Sequence, residues 1–415
     1  MSKYACAYSD FPQSEKVSDF PTAEEMRTYL ESYCTKFDLK RYIQFNTEVL
    51  AVDRSKDGKW KVTTKNLTET FDFVCVSSGF FSTKSMPLFK NIDQFEGRIF
   101  HSSEYKDPSI FRGRRVAVIG GAFSGSEITA DLAKESSIET ILLARRPMYY
   151  IPRTIEKRPV DLVFYSFEKK KASSVEAKHR FLASLMKKSL CQGERKKPLR
   201  VPVGSADNPP YVAIAENFLQ HIDRIEIHHD SISRFEKRGV VLNGEKKLQF
   251  DDVVFATGYR LSLSFLSKET LRILEFRELD TFKPLILHES VFHPNLPGLA
   301  FCGLYRGPYF AVMELQARWI MGVFSTRLNM PSEKIMLEGL NVERKIRDLK
   351  PRPQFPHSDY VAMAKRLAEF LLDVMPCPKK DQSGPLLPFH FRLCGFGSNE
   401  RVARHAIEEC RSRKW

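Results

Sequence analysis

The chain lacks closely paired cysteines. Its eight cysteines are scattered over 415 residues, and no two of them have the CxxC spacing of redox pairs or zinc sites. This absence excludes the disulfide reductases that pass electrons through two neighbouring thiols, and the spacing predicts no metal centre. Scattered cysteines are typical of reduced thiols in a cytoplasmic protein.

Long apolar runs are also absent. No stretch approaches the roughly 18 apolar residues that cross a bilayer, and the N-terminus has no basic-then-apolar signal sequence. These absences favour a chain that is soluble or associates peripherally with a membrane. By contrast, 42% hydrophobic and 12% aromatic residues exclude a disordered chain, and the length favours two or three domains.

The formal charge of +14 attracts anionic cofactors, acidic lipids or nucleic acid. Much of it lies in three basic clusters without interleaved aromatic residues, at residues 169–171, 187–188 and 195–197. Nucleic-acid sites usually combine basic and aromatic side chains. We therefore interpret the clusters as a solvated face and predict no nucleic-acid partner.

A βαβ pattern occupies the middle of the chain. Residues 114–119 predict an apolar strand, residues 124–135 a helix and residues 140–144 a second strand. Together they span about 30 residues, the size of a mononucleotide-binding half of a Rossmann-like domain. The pattern therefore predicts a dinucleotide site where the first strand meets the helix.

The turn between this strand and helix is rich in glycine. Gly120 and Gly125 occupy the first and third positions of a GxGxxG motif, whereas Ala122 replaces the middle glycine. Free N–H groups at a helix start can hold a pyrophosphate; the alternative is a glycine-rich turn without a ligand. We predict that the cofactor contacts Gly120, Gly121, Ser124, Gly125, Ser126 and Glu127.

Two arginines follow the second strand. A domain that prefers NAD places an acidic residue there against the ribose hydroxyls, whereas this chain has Arg145 and Arg146. Guanidinium groups suit a 2′-phosphate through their charge and paired N–H donors, although a solvated arginine pair is the simpler alternative. We therefore predict that the site binds NADPH rather than NADH.

A signature precedes the βαβ unit. Phe95, Gly97, His101 and Tyr105 fit the pattern FxGxxxHxxxY, in which the histidine alone would be interpreted as structural. With this signature the chain resembles flavin-containing monooxygenases of the animal type, which are N,N-dimethylaniline monooxygenase-like. Further stretches resemble the same family in the same order, at residues 8–12, 255–259, 314–319, 391–395 and 403–407.

The resemblance implies an α/β fold with two Rossmann-like domains of the FAD/NAD(P)-binding type. Residues 1–110 would be a remnant of the FAD-binding domain, residues 111–258 an inserted NADPH-binding domain, and residues 259–415 a return to the FAD domain followed by a helical tail. The family's N-terminal βαβ unit, which binds the FAD pyrophosphate, and an active-site Asn are missing from the expected pattern. Gly79 and Glu314 are candidate FAD contacts from their positions; as a turn residue and a helix residue they need no ligand.

The family's activity is implied in the same way. Its members use NADPH, FAD and molecular oxygen to oxygenate soft nucleophilic nitrogen or sulfur atoms of small molecules through a flavin hydroperoxide. No catalytic side chain is implied, and without the missing unit we expect this chain to hold FAD poorly. Two alternatives stay open: an inactive NADPH-binding pseudoenzyme, and a Baeyer–Villiger monooxygenase acting on ketones, against which Tyr105 argues because those enzymes commonly carry Trp there.

The expected location follows from charge and resemblance. Animal members usually end in an apolar tail at the endoplasmic reticulum membrane, whereas this chain ends in the basic residues 411–415. We expect a cytoplasmic protein that associates peripherally with that membrane through its positive charge.

Overall fold

A computed structural model describes residues 1–166, 174–190, 202, 204, 209–307, 309–355, 359–371, 384–393 and 398–413. The strands of this part are β1 (Val49–Arg54), β2 (Trp60–Thr64), β3 (Thr68–Phe71), β4 (Val74–Val76), β5 (Thr83–Lys84), β6 (Arg98–His101), β7 (Arg115–Ile119), β8 (Glu139–Leu143), β9 (Tyr149–Ile151), β10 (Thr154–Ile155), β11 (Arg158–Pro159), β12 (Val212–Ile214), β13 (Ile225–His228), β14 (Ile232–Glu236), β15 (Gly239–Leu242), β16 (Lys247–Gln249), β17 (Asp252–Phe255), β18 (Tyr259–Arg260) and β19 (Leu299–Phe301). Its α-helices are α1 (Ala23–Lys36), α2 (Phe123–Lys134), α3 (Val160–Phe164), α4 (Val175–Leu190), α5 (Glu216–His221), α6 (Lys268–Ile273), α7 (Phe310–Phe324), α8 (Glu333–Asp348), α9 (Tyr360–Glu369) and α10 (Glu400–Ser412).

The chain divides into two compact units. The first comprises residues 1–80, 154–170 and 261–415, and the second comprises residues 81–153 and 171–260. The second unit therefore begins before residue 111, the boundary that the sequence predicts. It does so because β6 pairs with β17 and so belongs to the same sheet.

The second unit is built on a five-stranded sheet with the strand order β13-β8-β7-β17-β6. All four neighbouring pairs are parallel. Parallel sheets are covered on both faces, which explains why β7 and β17 are apolar and buried almost throughout. The antiparallel sheet β14-β15-β16 contributes Phe235, Val240 and Leu248 to the core that contains Ala117 and Val253. The α/β fold that the sequence predicts is confirmed.

The first unit contains smaller sheets and most of the helices. Strands β1, β2 and β3 form an antiparallel sheet, and β4 pairs in parallel with β19. Helix α1 begins with a capping box: the Thr22 side chain accepts from the N–H of Glu25, and the Glu25 carboxylate accepts from the N–H of Thr22. Trp60 and Trp319 are fully buried in two separate apolar clusters.

Some sequence-based interpretations lie outside the described residues. These are the basic clusters at residues 169–171 and 195–197 and part of the C-terminal family motif, residues 394–395. Lys187 and Lys188 are described, and both are exposed in the last turn of α4. Among the described residues, no helix is long and apolar enough to cross a membrane.

Candidate functional site

The glycine loop, residues 120–125, joins β7 to α2 in the second unit. Gly120 has φ +114°, and a Cβ at this position would overlap the carbonyl oxygen of Ala256, just past the end of β17. A Cβ at Gly125 would overlap the carbonyl oxygen of Gly120 itself. The loop can therefore turn this tightly only with glycine at both positions, and it brings the helix start against the carboxyl ends of the strands.

The N-terminus of α2 has no side-chain cap. Its N-cap is Ala122, with an extended backbone at φ −79°, and the next residues, Phe123 and Ser124, are exposed. An uncapped helix start presents backbone N–H groups and the positive end of the helix dipole. Because the φ of Ala122 is an ordinary negative value, the missing middle glycine does not prevent the turn.

Two predicted cofactor contacts are already bonded within the unit. The Ser126 hydroxyl is buried and donates to the carbonyl oxygens of Ala122 and Phe123, at 3.0 and 3.1 Å. The Glu127 carboxylate accepts from Nδ2 of Asn217 on α5 at 3.0 Å. The structure thus places both residues beside the loop but gives each an intramolecular partner.

Tyr150 on β9 fixes the other side of the glycine loop. Its hydroxyl donates to the carbonyl oxygen of Gly121 at 3.2 Å, and a Cβ at Gly121 would lie 2.9 Å from that hydroxyl oxygen. The same Cβ would lie 3.0 Å from Cβ of Ala144, which follows β8. Sequence reasoning missed Tyr150, which is only 1% exposed and has no local motif.

The two predicted arginines follow β8, whose neighbour in the sheet is β7. Both Arg145 and Arg146 are exposed. Cζ of Arg146 lies 3.5 Å from the ring centroid of Tyr211, a second residue that sequence reasoning missed. In the described part of the chain, the Arg145 side chain makes no hydrogen bond or ion pair. The carboxyl edge of β7 and β8 therefore carries an uncapped helix start and two cations, a combination suited to a phosphorylated ligand.

The signature residues before the βαβ unit act as structural contacts. The carbonyl oxygen of Asp251 and the ring of Phe95 lie so close to Gly97 that a Cβ at this position would overlap both. Only glycine therefore fits there. The Tyr105 hydroxyl donates to Oδ2 of Asp131 on α2 at 2.8 Å. The signature thus fastens the chain segment before β7 to the sheet and its helix.

His101 is buried and both of its ring nitrogens are bonded. Nδ1 accepts from the backbone N–H of Ser103 at 3.2 Å, so Nε2 carries the proton and donates to the carbonyl oxygen of Gly258 at 3.0 Å. Gly258 has φ +81° and lies three residues after the end of β17. These contacts support the interpretation of His101 as a structural histidine.

We expect His101→Ala to lower the free energy of unfolding by about 1–3 kcal/mol, because it removes a buried side chain and one of the two donors to the Gly258 carbonyl, the other being the Ser85 N–H. Urea unfolding followed by circular dichroism measures the change. The exposed His405 provides the control, and His405→Ala should leave the unfolding midpoint unchanged. Equal stability of the His101→Ala and wild-type proteins would refute the structural role.

The two predicted FAD contacts lie in the first unit. Gly79 is exposed, with φ +81°, three residues after β4. The Glu314 carboxylate on α7 accepts from the backbone N–H of Ser9 at 2.8 Å and from Nη2 of Arg392 at 3.0 Å. Glu314 is therefore part of an intramolecular network that also includes the Ser9 hydroxyl.

The family model for flavin-binding monooxygenase-like proteins matches residues 1–414. The chain belongs to this family. It is 30% identical over 445 aligned residues to dimethylaniline monooxygenase (N-oxide-forming) 2 of Cavia porcellus, and 29% identical over 443 residues to flavin-containing monooxygenase 2 of Homo sapiens. Each alignment covers 98% of this chain and 80% of the relative.

Solved structures of flavin monooxygenases share the fold of this family member. S-allyl-L-cysteine S-oxygenase from Allium sativum has a TM-score of 0.64 and 21% identity, covering 100% of this chain and 77% of its own. An open structure of cyclohexanone monooxygenase also has a TM-score of 0.64, with 20% identity, covering 89% of this chain and 87% of its own. At these identities the likeness shows the fold alone.

The family binds flavin, and both candidate FAD contacts lie in the first unit. A dinucleotide needs a parallel strand, a glycine turn and a helix start in immediate succession. In the described part of the first unit, the strands that could supply such a motif are β4 and β19, which pair in parallel. Gly79 and Gly303 follow them with positive φ, but neither leads directly into a helix, since α7 begins only at Phe310. The described residues of this unit therefore do not fit the FAD pyrophosphate, whereas the glycine loop of the second unit fits a dinucleotide.

Proposed function

We propose that this family member binds NADPH at the glycine loop and, when it holds FAD, oxygenates soft nucleophilic nitrogen or sulfur atoms of small molecules with molecular oxygen. The observation that carries the nucleotide part is the loop geometry. A turn with no room for a Cβ at Gly120 or Gly125 leads into an uncapped helix, and Arg145 and Arg146 follow the neighbouring strand. This arrangement supports a pyrophosphate at the helix start and a 2′-phosphate near the arginines.

The substrate class is supported by the curated relatives, which are named for N-oxide formation. A ketone is the alternative, because cyclohexanone monooxygenase shares the fold. If the first unit cannot retain FAD, the chain is an NADPH-binding pseudoenzyme. When bound, FAD would carry electrons from NADPH to molecular oxygen, whereas the residues of the glycine loop and the two arginines would contact only the nucleotide.

The experiment measures binding and turnover on the full chain. Purified protein is mixed with FAD, freed of excess flavin by gel filtration and scanned for flavin absorbance. NADP⁺ and NAD⁺ are titrated by calorimetry, and a tertiary amine, a thioether and cyclohexanone are supplied with NADPH, with products followed by mass spectrometry.

Bound flavin with an N-oxide or S-oxide product supports the proposal. A lactone product identifies a ketone monooxygenase, selective NADP⁺ binding without flavin identifies a pseudoenzyme, and folded protein that binds neither nucleotide refutes the assignment.

Replacing Arg145 should change nucleotide selectivity. We expect Arg145→Ala to weaken NADP⁺ binding by about tenfold to a hundredfold, because a charge-assisted hydrogen bond to the 2′-phosphate is lost. NAD⁺ lacks that phosphate, so its affinity should change little. Calorimetric titration of both nucleotides checks the difference. Exposed Arg112, which pairs with Glu135, provides the control: Arg112→Ala should alter neither affinity.

We infer the cellular location from charge. The formal charge of +14 supports a cytoplasmic protein that attaches electrostatically to the endoplasmic reticulum membrane. Co-sedimentation with vesicles rich in phosphatidylserine should occur at low salt and weaken as salt rises. Equal binding to neutral vesicles would contradict an electrostatic attachment.

A further inference from the structure

Tyr211 and Arg146 form a stacked pair at the edge of the glycine-loop site. Cζ of Arg146 lies 3.5 Å from the ring centroid of Tyr211, so the centre of the guanidinium lies over the ring face. This contact combines charge with the ring quadrupole, and an arginine that makes it loses much of its conformational freedom before any ligand arrives.

The backbone fixes the position of Tyr211. Strands β9 and β12 pair in parallel, and the ladder begins with the N–H of Tyr149 donating to the carbonyl oxygen of Tyr211 at 2.8 Å. Two prolines, Pro209 and Pro210, precede Tyr211 and stiffen the segment that leads to it. The backbone of Tyr211 is therefore held against Tyr149, which lies three residues along the chain from Arg146.

The same strand also holds the glycine loop. Tyr150, the next residue of β9, donates to the carbonyl oxygen of Gly121. One short strand pair thus connects the loop with the stacked arginine, and both are fixed relative to each other within the second unit. Arg145, by contrast, is exposed and makes no polar contact with any other described residue.

We propose that Tyr211 is a positioning residue for nucleotide selectivity: it holds the Arg146 guanidinium so that its outward N–H donors meet the 2′-phosphate of NADPH. The inference rests on the proposed function. It assigns different roles to the two arginines, because Arg146 is ordered in advance whereas Arg145 must be ordered by the ligand. Ordering a long side chain in advance lowers the entropic cost of binding.

The test compares Tyr211→Leu with Tyr211→Phe in the full chain. The phenylalanine keeps the aromatic face and the leucine removes it. Calorimetry with NADP⁺, NAD⁺, 2′,5′-ADP and 5′-AMP measures each dissociation constant, and thermal melting monitors folding. We expect Tyr211→Leu to raise the dissociation constants of NADP⁺ and 2′,5′-ADP about fivefold, with NAD⁺ and 5′-AMP unchanged and Tyr211→Phe close to wild type.

A second variant separates positioning from general structural damage. Arg146→Lys keeps the charge but removes the planar group, so it should lose selectivity to the same extent, and adding Tyr211→Leu to it should have no further effect. The inference is overturned if Tyr211→Leu binds NADP⁺ as the wild type does, or if it weakens all four ligands equally. A folded wild-type protein that binds neither nucleotide overturns the proposed function instead, so the two failures are distinguishable.

Discussion

Gly125→Ala should abolish NADP⁺ binding and lower the free energy of unfolding by about 3 kcal/mol or more. The added methyl group would overlap the carbonyl oxygen of Gly120 and lie 3.3 Å from Cβ of Ala256. Gly120 cannot move away, because its own Cα faces the carbonyl group of Ala256. The helix start must therefore separate from the sheet, which removes the surface that would hold the pyrophosphate. Calorimetric titration and urea unfolding measure the two losses.

Gly113 provides the matched control for Gly125. It lies in the same unit, and an added Cβ would meet nothing within 4 Å, although its φ of +73° is strained for alanine. Gly113→Ala should therefore cost only about 1 kcal/mol and leave nucleotide binding intact. Wild-type affinity and stability in Gly125→Ala would show that the loop does not have the close contact described above.

Asp252→Asn should destabilise the second unit by about 3 kcal/mol. The Asp252 side chain is completely buried at the start of β17 and accepts from Nη2 of Arg98 at 2.6 Å and from Nη2 of Arg114 at 2.9 Å. It thus joins the amino ends of three parallel strands, since Arg98 begins β6 and Arg114 precedes β7. Breaking a buried ion pair usually costs about 3–5 kcal/mol of stability. The low end of that range is expected here because both arginines keep contact with water. Urea unfolding near neutral pH measures it.

The Asp252 contribution should also depend on pH. Burial raises the pKa of this carboxyl, but hydrogen bonds from Arg98 and Arg114 outweigh burial and hold the pKa below its usual value. The folded pKa lies below the unfolded value of about 3.9, so the stabilisation is complete above that pH and disappears as the pH falls through the folded pKa. The stability difference between wild type and Asp252→Asn should therefore shrink in acid.

The control for Asp252 is an exposed ion pair in the same unit. Glu236 lies 3.1 Å from Nζ of Lys247, with both side chains in contact with solvent. Glu236→Gln should change stability by less than about 1 kcal/mol at any pH. A pH-independent difference between Asp252→Asn and wild type would contradict the role assigned to the buried carboxylate.

The features that were predictable from sequence depend on local patterns. The βαβ unit has the order predicted for residues 114–144, with β7, α2 and β8 each within one residue of the predicted bounds. The Thr22 capping box is a contact between residues three apart, so its spacing alone identifies it. The family assignment was also accessible, because several short motifs occur in a fixed order.

The features that sequence reasoning missed depend on contacts between distant residues. Tyr211 meets Arg146 only because β12 pairs with β9, and neither short strand has a distinctive periodicity. Asn217 reaches Glu127 across 90 positions of sequence. Strand β6 joins its sheet through β17, and a four-residue strand carries no signal of its partner. Such pairings become visible only when the sheet order is known.

The carbonyl groups of Ala256 and Gly120 fill the places that Cβ atoms would take at Gly120 and Gly125. The protein's own backbone therefore imposes both glycines, whether or not a nucleotide is ever bound. A descendant that had lost its cofactor would still have to keep this spacing in order to fold. The glycines thus belong to the architecture, whereas folding does not account for the uncapped helix start and the exposed arginines beside it.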